Sequence, residues 1–130
     1  MATDFGIRVT LDVPYETAIE KATAALKEEG FGVLTTIDVK ETLKQKLDVD
    51  FRRYVILGAC NPPFAYKALQ AEKNVGAMLP CNVIVQEHEE GQVEVAAIDP
   101  VASMISIDNP ELKAISKQVQ EKLRRVIERL

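Results

Sequence analysis

Both cysteines of this chain precede an asparagine, in Ala59-Cys60-Asn61-Pro62 and in Pro80-Cys81-Asn82-Val83. Two thiols in matched polar settings are residue types that hold metals, exchange disulfides or attack electrophiles, provided the fold brings them together. The first pair closes one apolar run and the second opens another. If those runs are antiparallel neighbours, the end of one lies beside the start of the next. A hairpin around Glu89-Glu90-Gly91 adds a third participant. With residues 88 and 92 opposed, Cys81 faces Asp99, and a slip of one residue pairs Asn82 with Asp99 instead. Cys60, Asn61, Cys81, Asn82 and Asp99 are therefore the candidate ligand-binding set, gathered at one end of a sheet.

Three chemistries suit such a set. Cys60, Cys81 and Asp99 could supply three metal ligands, although structural zinc wants four, usually Cys or His, and no CxxC knuckle is present. A dithiol pair would need alpha carbons within about 7 Å and side chains turned toward each other. A nucleophilic cysteine would need a base or a positive field to lower its pKa. A lysine of the Lys40-Glu41-Thr42-Leu43-Lys44-Gln45-Lys46 segment is a candidate for that field, with nothing in the sequence to place it there. His88, the sole histidine, is seven residues along the strand from Cys81, roughly 23 Å away, and reads as a partly exposed hairpin-tip residue. The bland alternative is that both cysteines pack as small hydrophobes while the asparagines cap loops. The chain has no GxGxxG, GKS or GKT loop, HExxH or GxSxG, so nucleotide, zincin and hydrolase chemistries lack their motifs.

The elements that would position these residues follow from periodicity. Phe5, Ile7, Val9, Leu11 and Val13 alternate with polar or small residues, the signature of a strand with one buried face. After Pro14, the apolar residues Tyr15, Ala18, Ile19, Ala22, Ala25 and Leu26 mark an amphipathic helix that Gly30 can end. Phe31 to Ile37 reads as a strand, and Asp38 with Glu41 as a capping box for a helix over Val39 to Leu47. Arg52 to Cys60 is a third strand, apolar on both parities from Tyr54 and so expected to be covered on both faces. Asn61 is a candidate cap for a helix running to about Lys73. A connection over 76–80 leads to the hairpin of Asn82 to His88 and Gln92 to Ile98. Asn109-Pro110 opens a last helix striped by Leu112, Ile115, Val119, Leu123, Val126 and Leu130. This order predicts one α+β domain over residues 1–130, a mostly antiparallel five-stranded sheet with helices on one face.

Composition narrows the function classes. Apolar residues are 47% and charged residues 28%, with a net charge of −4, as expected of a globular chain with a core. No window reaches the roughly 18 apolar residues of a membrane span, and the N-terminus lacks the regions of a signal peptide, so a cytoplasmic location is expected. The only basic concentration is Lys113, Lys117, Lys122, Arg124, Arg125 and Arg129, read as a solvated helix face. With no Trp and few aromatics, a nucleic-acid partner is not expected.

Four segments carry a resemblance that spans essentially the whole chain. They are Gly30-Phe31-Gly32-Val33-Leu34, Ile56-Leu57-Gly58-Ala59-Cys60-Asn61-Pro62-Pro63, Leu79-Pro80-Cys81-Asn82-Val83 and Ala97-Ile98-Asp99-Pro100-Val101. In these the chain resembles the bacterial and archaeal domain of unknown function 302 family. The resemblance implies a compact domain of the TATA-binding-protein-like class, often a homodimer, and brings no activity, substrate or cofactor with it. Fold likeness does not import DNA binding. The function expected is a non-enzymatic module for a small ligand or partner, acting as a homodimer. The alternatives are a thiol-dependent enzyme or metal or redox protein using Cys60 and Cys81, and a purely structural or assembly role.

Overall fold

The computed structural model describes residues 6–130. Phe5 of the first expected strand and the N-terminal segment read for a signal peptide lie outside the described residues. Strand β1 (Gly6–Leu11) is followed by helix α1 (Tyr15–Glu28), with Pro14 at its N-cap. Gly30, at φ +87°, makes the left-handed turn out of α1. β2 (Gly32–Asp38) runs straight into α2 (Val39–Leu47), where the Asp38 carboxylate accepts from the Glu41 amide at 3.0 Å. β3 (Tyr54–Cys60) leads into α3 (Pro62–Ala71). A 3-10 turn (Val75–Met78) and a cis Leu79–Pro80 peptide precede β4 (Cys81–Glu87). β5 (Val93–Ile98), the short α4 (Pro100–Ser103) and the long α5 (Pro110–Glu128) complete the chain. Among the described residues no helix is long and apolar enough to cross a membrane.

The five strands form one sheet in the order β1-β5-β4-β3-β2, every neighbouring pair antiparallel. The β4–β5 hairpin opposes Val83 to Ala97, and the His88 amide donates to the Gln92 carbonyl at 2.8 Å. That is the register expected from the hairpin. β3 and β4 pair Ala59 with Cys81 and Gly58 with Asn82. On β2, Leu34 is an extra residue between the Val33–Ala59 and Thr35–Gly58 pairs, a bulge on the outer strand.

Alternation explains which side is covered. Val55, Leu57, Ala59, Val83, Val85, Val93, Val95 and Ala97 are buried on one face. Against them lie Ala18, Ala22, Ala25 and Leu26 of α1, and Leu112, Val119, Leu123 and Val126 of α5. The alanines of α1 let backbone and sheet approach closely. On the opposite face the strands are less deeply buried. The expectation that β3 is covered on both faces fails there: Tyr54 and Ile56 are only half-buried. One row of that open face is a polar network. Arg52 Nε donates to Gln86 Oε1 at 2.9 Å and Gln86 Nε2 to Glu94 Oε1 at 3.1 Å. His88 Nε2 stands 3.1 Å from the same Glu94 oxygen.

Candidate functional site

A cavity of about 380 Å³ opens where β2 and β3 meet α3. Its wall is almost wholly apolar, formed by Phe31, Leu34, Ala59, Phe64, Leu69 and Leu79, with Cys60, Cys81 and Asn61 among the lining residues. Each arrives for a local reason. Phe31 follows the left-handed Gly30 and turns inward at the foot of β2. Leu34 is the bulged residue. Phe64, Ala65, Ala68 and Leu69 fall on one side of α3, as spacings of three and four place them. Leu79 and Pro80 turn the chain into β4.

Glycine at position 58 lets these walls come together. A Cβ there would overlap the Thr35 hydroxyl and stand 2.8 Å from Pro80 Cγ. β2 and the entry to β4 therefore close over β3 only because Gly58 has no side chain.

Asn61 occupies the N-cap position of α3 but does not cap it with its side chain. Its Nδ2 instead donates to the Glu29 carbonyl at 3.1 Å, packed against Gly30. The cap expected from sequence is thus a tether between the end of α1 and the start of α3. Pro63, the second helical residue, lacks one of the amides that such a cap would have served.

The two cysteines are unpaired. Cys81 lies opposite Ala59 and shares the helix-covered face with Val83 and Val85; Cys60, one position beyond Ala59, belongs to the other parity. Both nevertheless line the cavity, because it wraps the end of β3 rather than one side of the sheet. Burial pushes the Cys81 thiol up to about 11, and the neighbouring Cys60 adds to the rise. A thiol so placed is protonated at neutral pH, the opposite of an activated nucleophile.

The remaining candidates point elsewhere. Asn82 is exposed and lines an adjoining hollow of about 290 Å³ that it shares with Cys81, Ile98 and Pro100. Asp99 caps α4, accepting from the Val101 amide at 2.9 Å, and takes a further hydrogen bond from Gln120 Nε2 at 2.9 Å. Its carboxylate is therefore turned to α4 and α5. Among the described residues no three of His, Cys, Asp and Glu stand close enough to hold a metal ion, so Cys60, Cys81 and Asp99 form no such set.

Sequence reading missed Phe31, Leu34, Phe64, Leu69 and Leu79. The signal available was the apolar stripe of α3; the bulge at Leu34 had none.

Comparison with known proteins agrees with this architecture. A crystal structure titled as that of an uncharacterized conserved protein DUF302 from Bacillus stearothermophilus superposes with a TM-score of 0.89 and 32% identity. The match covers 96% of this chain and 97% of that one. An uncharacterized protein of Aquifex aeolicus (strain VF5) is 29% identical over 87 residues, 67% of this chain. That match spans about half, 54%, of the relative's length. The family model described as domain of unknown function DUF302 matches residues 7–130. The chain belongs to the DUF302 family.

Proposed function

We propose that this protein is a non-enzymatic, cytoplasmic module that binds a small, largely apolar molecule between β2, β3 and α3, and that it works as a homodimer. The observation that carries the reading is the cavity itself. Its size falls in the range of small-molecule sites, and its wall offers apolar contact with few polar groups. Such a wall selects by shape and hydrophobicity rather than by charge. The cytoplasmic assignment is supported by two unpaired cysteines, as a reducing compartment leaves them. The protonated state of the Cys81 thiol favours binding over the thiol-enzyme alternative.

Titration with the apolar fluorophore 1-aminoanthracene tests this. Saturable binding is expected, weakened at least tenfold, equivalent to about 1.4 kcal/mol, by Ala65→Phe, which fills the space from α3. Cys60→Ala and Cys81→Ala should leave binding within a few-fold. No saturable binding, or equal binding by Ala65→Phe with unchanged circular dichroism, would remove the cavity as the site.

A further inference from the structure

Residues 32–50 contain a whole strand and a whole helix, yet none of their side chains is buried. The segment is not polar. Val33, Val39 and Leu43 are half-buried, while Leu34, Ile37, Leu47 and Val49 are exposed, Leu34 to 68%. Tyr66 and Leu69 of α3 and Met78 of the 3-10 turn continue the exposed apolar series. Among the described residues, Ile105 is the one large apolar side chain exposed outside this stretch.

The backbone of β2 is equally unpartnered. It is the last strand of the sheet, so among the described residues one row of its amides and carbonyls faces no other strand. Strand edges that stay single are blunted by charge, proline or bulges. β1, the other edge, carries Arg8 within the strand, whereas β2 has neither charge nor proline from Gly32 to Ile37. Its bulge throws out a leucine rather than a lysine.

We infer that a second copy of this chain docks here, β2 against β2 antiparallel, with α2 and the exposed side of α3 flanking the seam. The inference rests on the homodimer reading and supplies its surface. Self-pairing about a two-fold axis satisfies both edges at once. The flanking charges are of mixed sign and partly neutralised within the chain, Lys44 reaching Asp48 at 2.9 Å, so two copies of this face meet without a like-charge barrier. The dimensions also suffice. Seven strand residues run about 24 Å. A sheet edge with two helices, each about 10 Å across, gives a face roughly 30 Å wide. That is on the order of 700 Å², near the ~800 Å² per partner of stable complexes. Leu34 and Leu69 belong both to this face and to the cavity wall, so the partner roofs the cavity mouth.

Light scattering on a size-exclusion column tests the surface. The wild-type chain is expected at twice its 14.4 kDa mass. The double variant Leu34→Lys, Ile37→Lys is expected at half that mass with an unchanged circular dichroism spectrum, since both side chains are exposed. Thr10→Lys, on β1, should leave the dimer intact. A dimeric double variant would overturn the β2 location alone. A monomeric wild type would overturn the location and the homodimer together, while the fluorophore titration still judges the cavity.

Discussion

Cys81 shows how little of a thiol's chemistry resides in the thiol. Two cysteines followed by asparagine look equivalent in sequence, but Cys81 is enclosed between β3, β4 and the cavity wall, where burial favours its neutral form. The folded state therefore keeps a proton that the unfolded chain releases near its ordinary pKa of about 8.5. Between there and about 11 the native state binds more protons, so stability falls as pH rises through that window. Tyr15 acts in the same direction above its ordinary value of about 10, because burial and the Asp38 carboxylate raise it to about 12. Urea unfolding midpoints measured from pH 8 to 11 should decline in the wild type and decline less in Cys81→Ala. Iodoacetamide should modify Cys81 slowly at neutral pH and faster only at alkaline pH. Rapid neutral-pH labelling at this position would put the thiol-enzyme alternative ahead of the binding module.

At the scale of elements, the cavity depends on how β2 and the 79–80 turn close over β3. Gly58→Ala places a methyl against the Thr35 hydroxyl, which can rotate away, and against the Pro80 ring, which cannot. Overpacking of this kind costs about 1–3 kcal/mol. The variant should unfold at lower urea and bind 1-aminoanthracene more weakly, because Thr35 and Pro80 are themselves cavity wall. Gly32→Ala, on the same sheet but with nothing within 4 Å of its added methyl, should cost little. Equal stability of the two variants would mean that the sheet relaxes around position 58.

Across the whole molecule, Glu29 joins the two ends of the fold. It is 7% exposed, and Arg129 Nη2 and Arg125 Nε reach its carboxylate at 2.8 and 3.1 Å. Its carbonyl holds Asn61. The hydrogen bond from Arg129, with that from Arg125, outweighs burial and keeps this carboxyl below the usual range. A depressed pKa means that the stabilisation is present above the unfolded value of about 4.3 and is lost as pH falls through the folded one. Thermal melts from pH 7 down to 3 should show a steeper acid loss in the wild type than in Glu29→Gln, which should already be less stable at neutral pH. Parallel pH profiles for the two would show that the Arg125 and Arg129 contacts contribute nothing.

Periodicity and punctuation determined every strand and the major helices, because alternation, a three-to-four repeat and Pro or Gly boundaries act over a few residues. The Ala18–Ala22–Ala25 face, the Asp38 cap on Glu41 and the hairpin register about Gly91 are of this local kind. The α+β class followed from their order. Tertiary structure decided what each polar group was for. Asp99 stood opposite Cys81 by register but spends its carboxylate on α4 and Gln120, and Asn61 ties α1 to α3 rather than capping its own helix. The Glu29 partners lie 96 and 100 positions away, beyond any pattern in the chain. The cavity, too, exists only where a bulge, a side-chain-free Gly58 and one face of α3 converge. Backbone pattern is set locally, whereas hydrogen-bond choice is settled among all the groups that folding brings within reach.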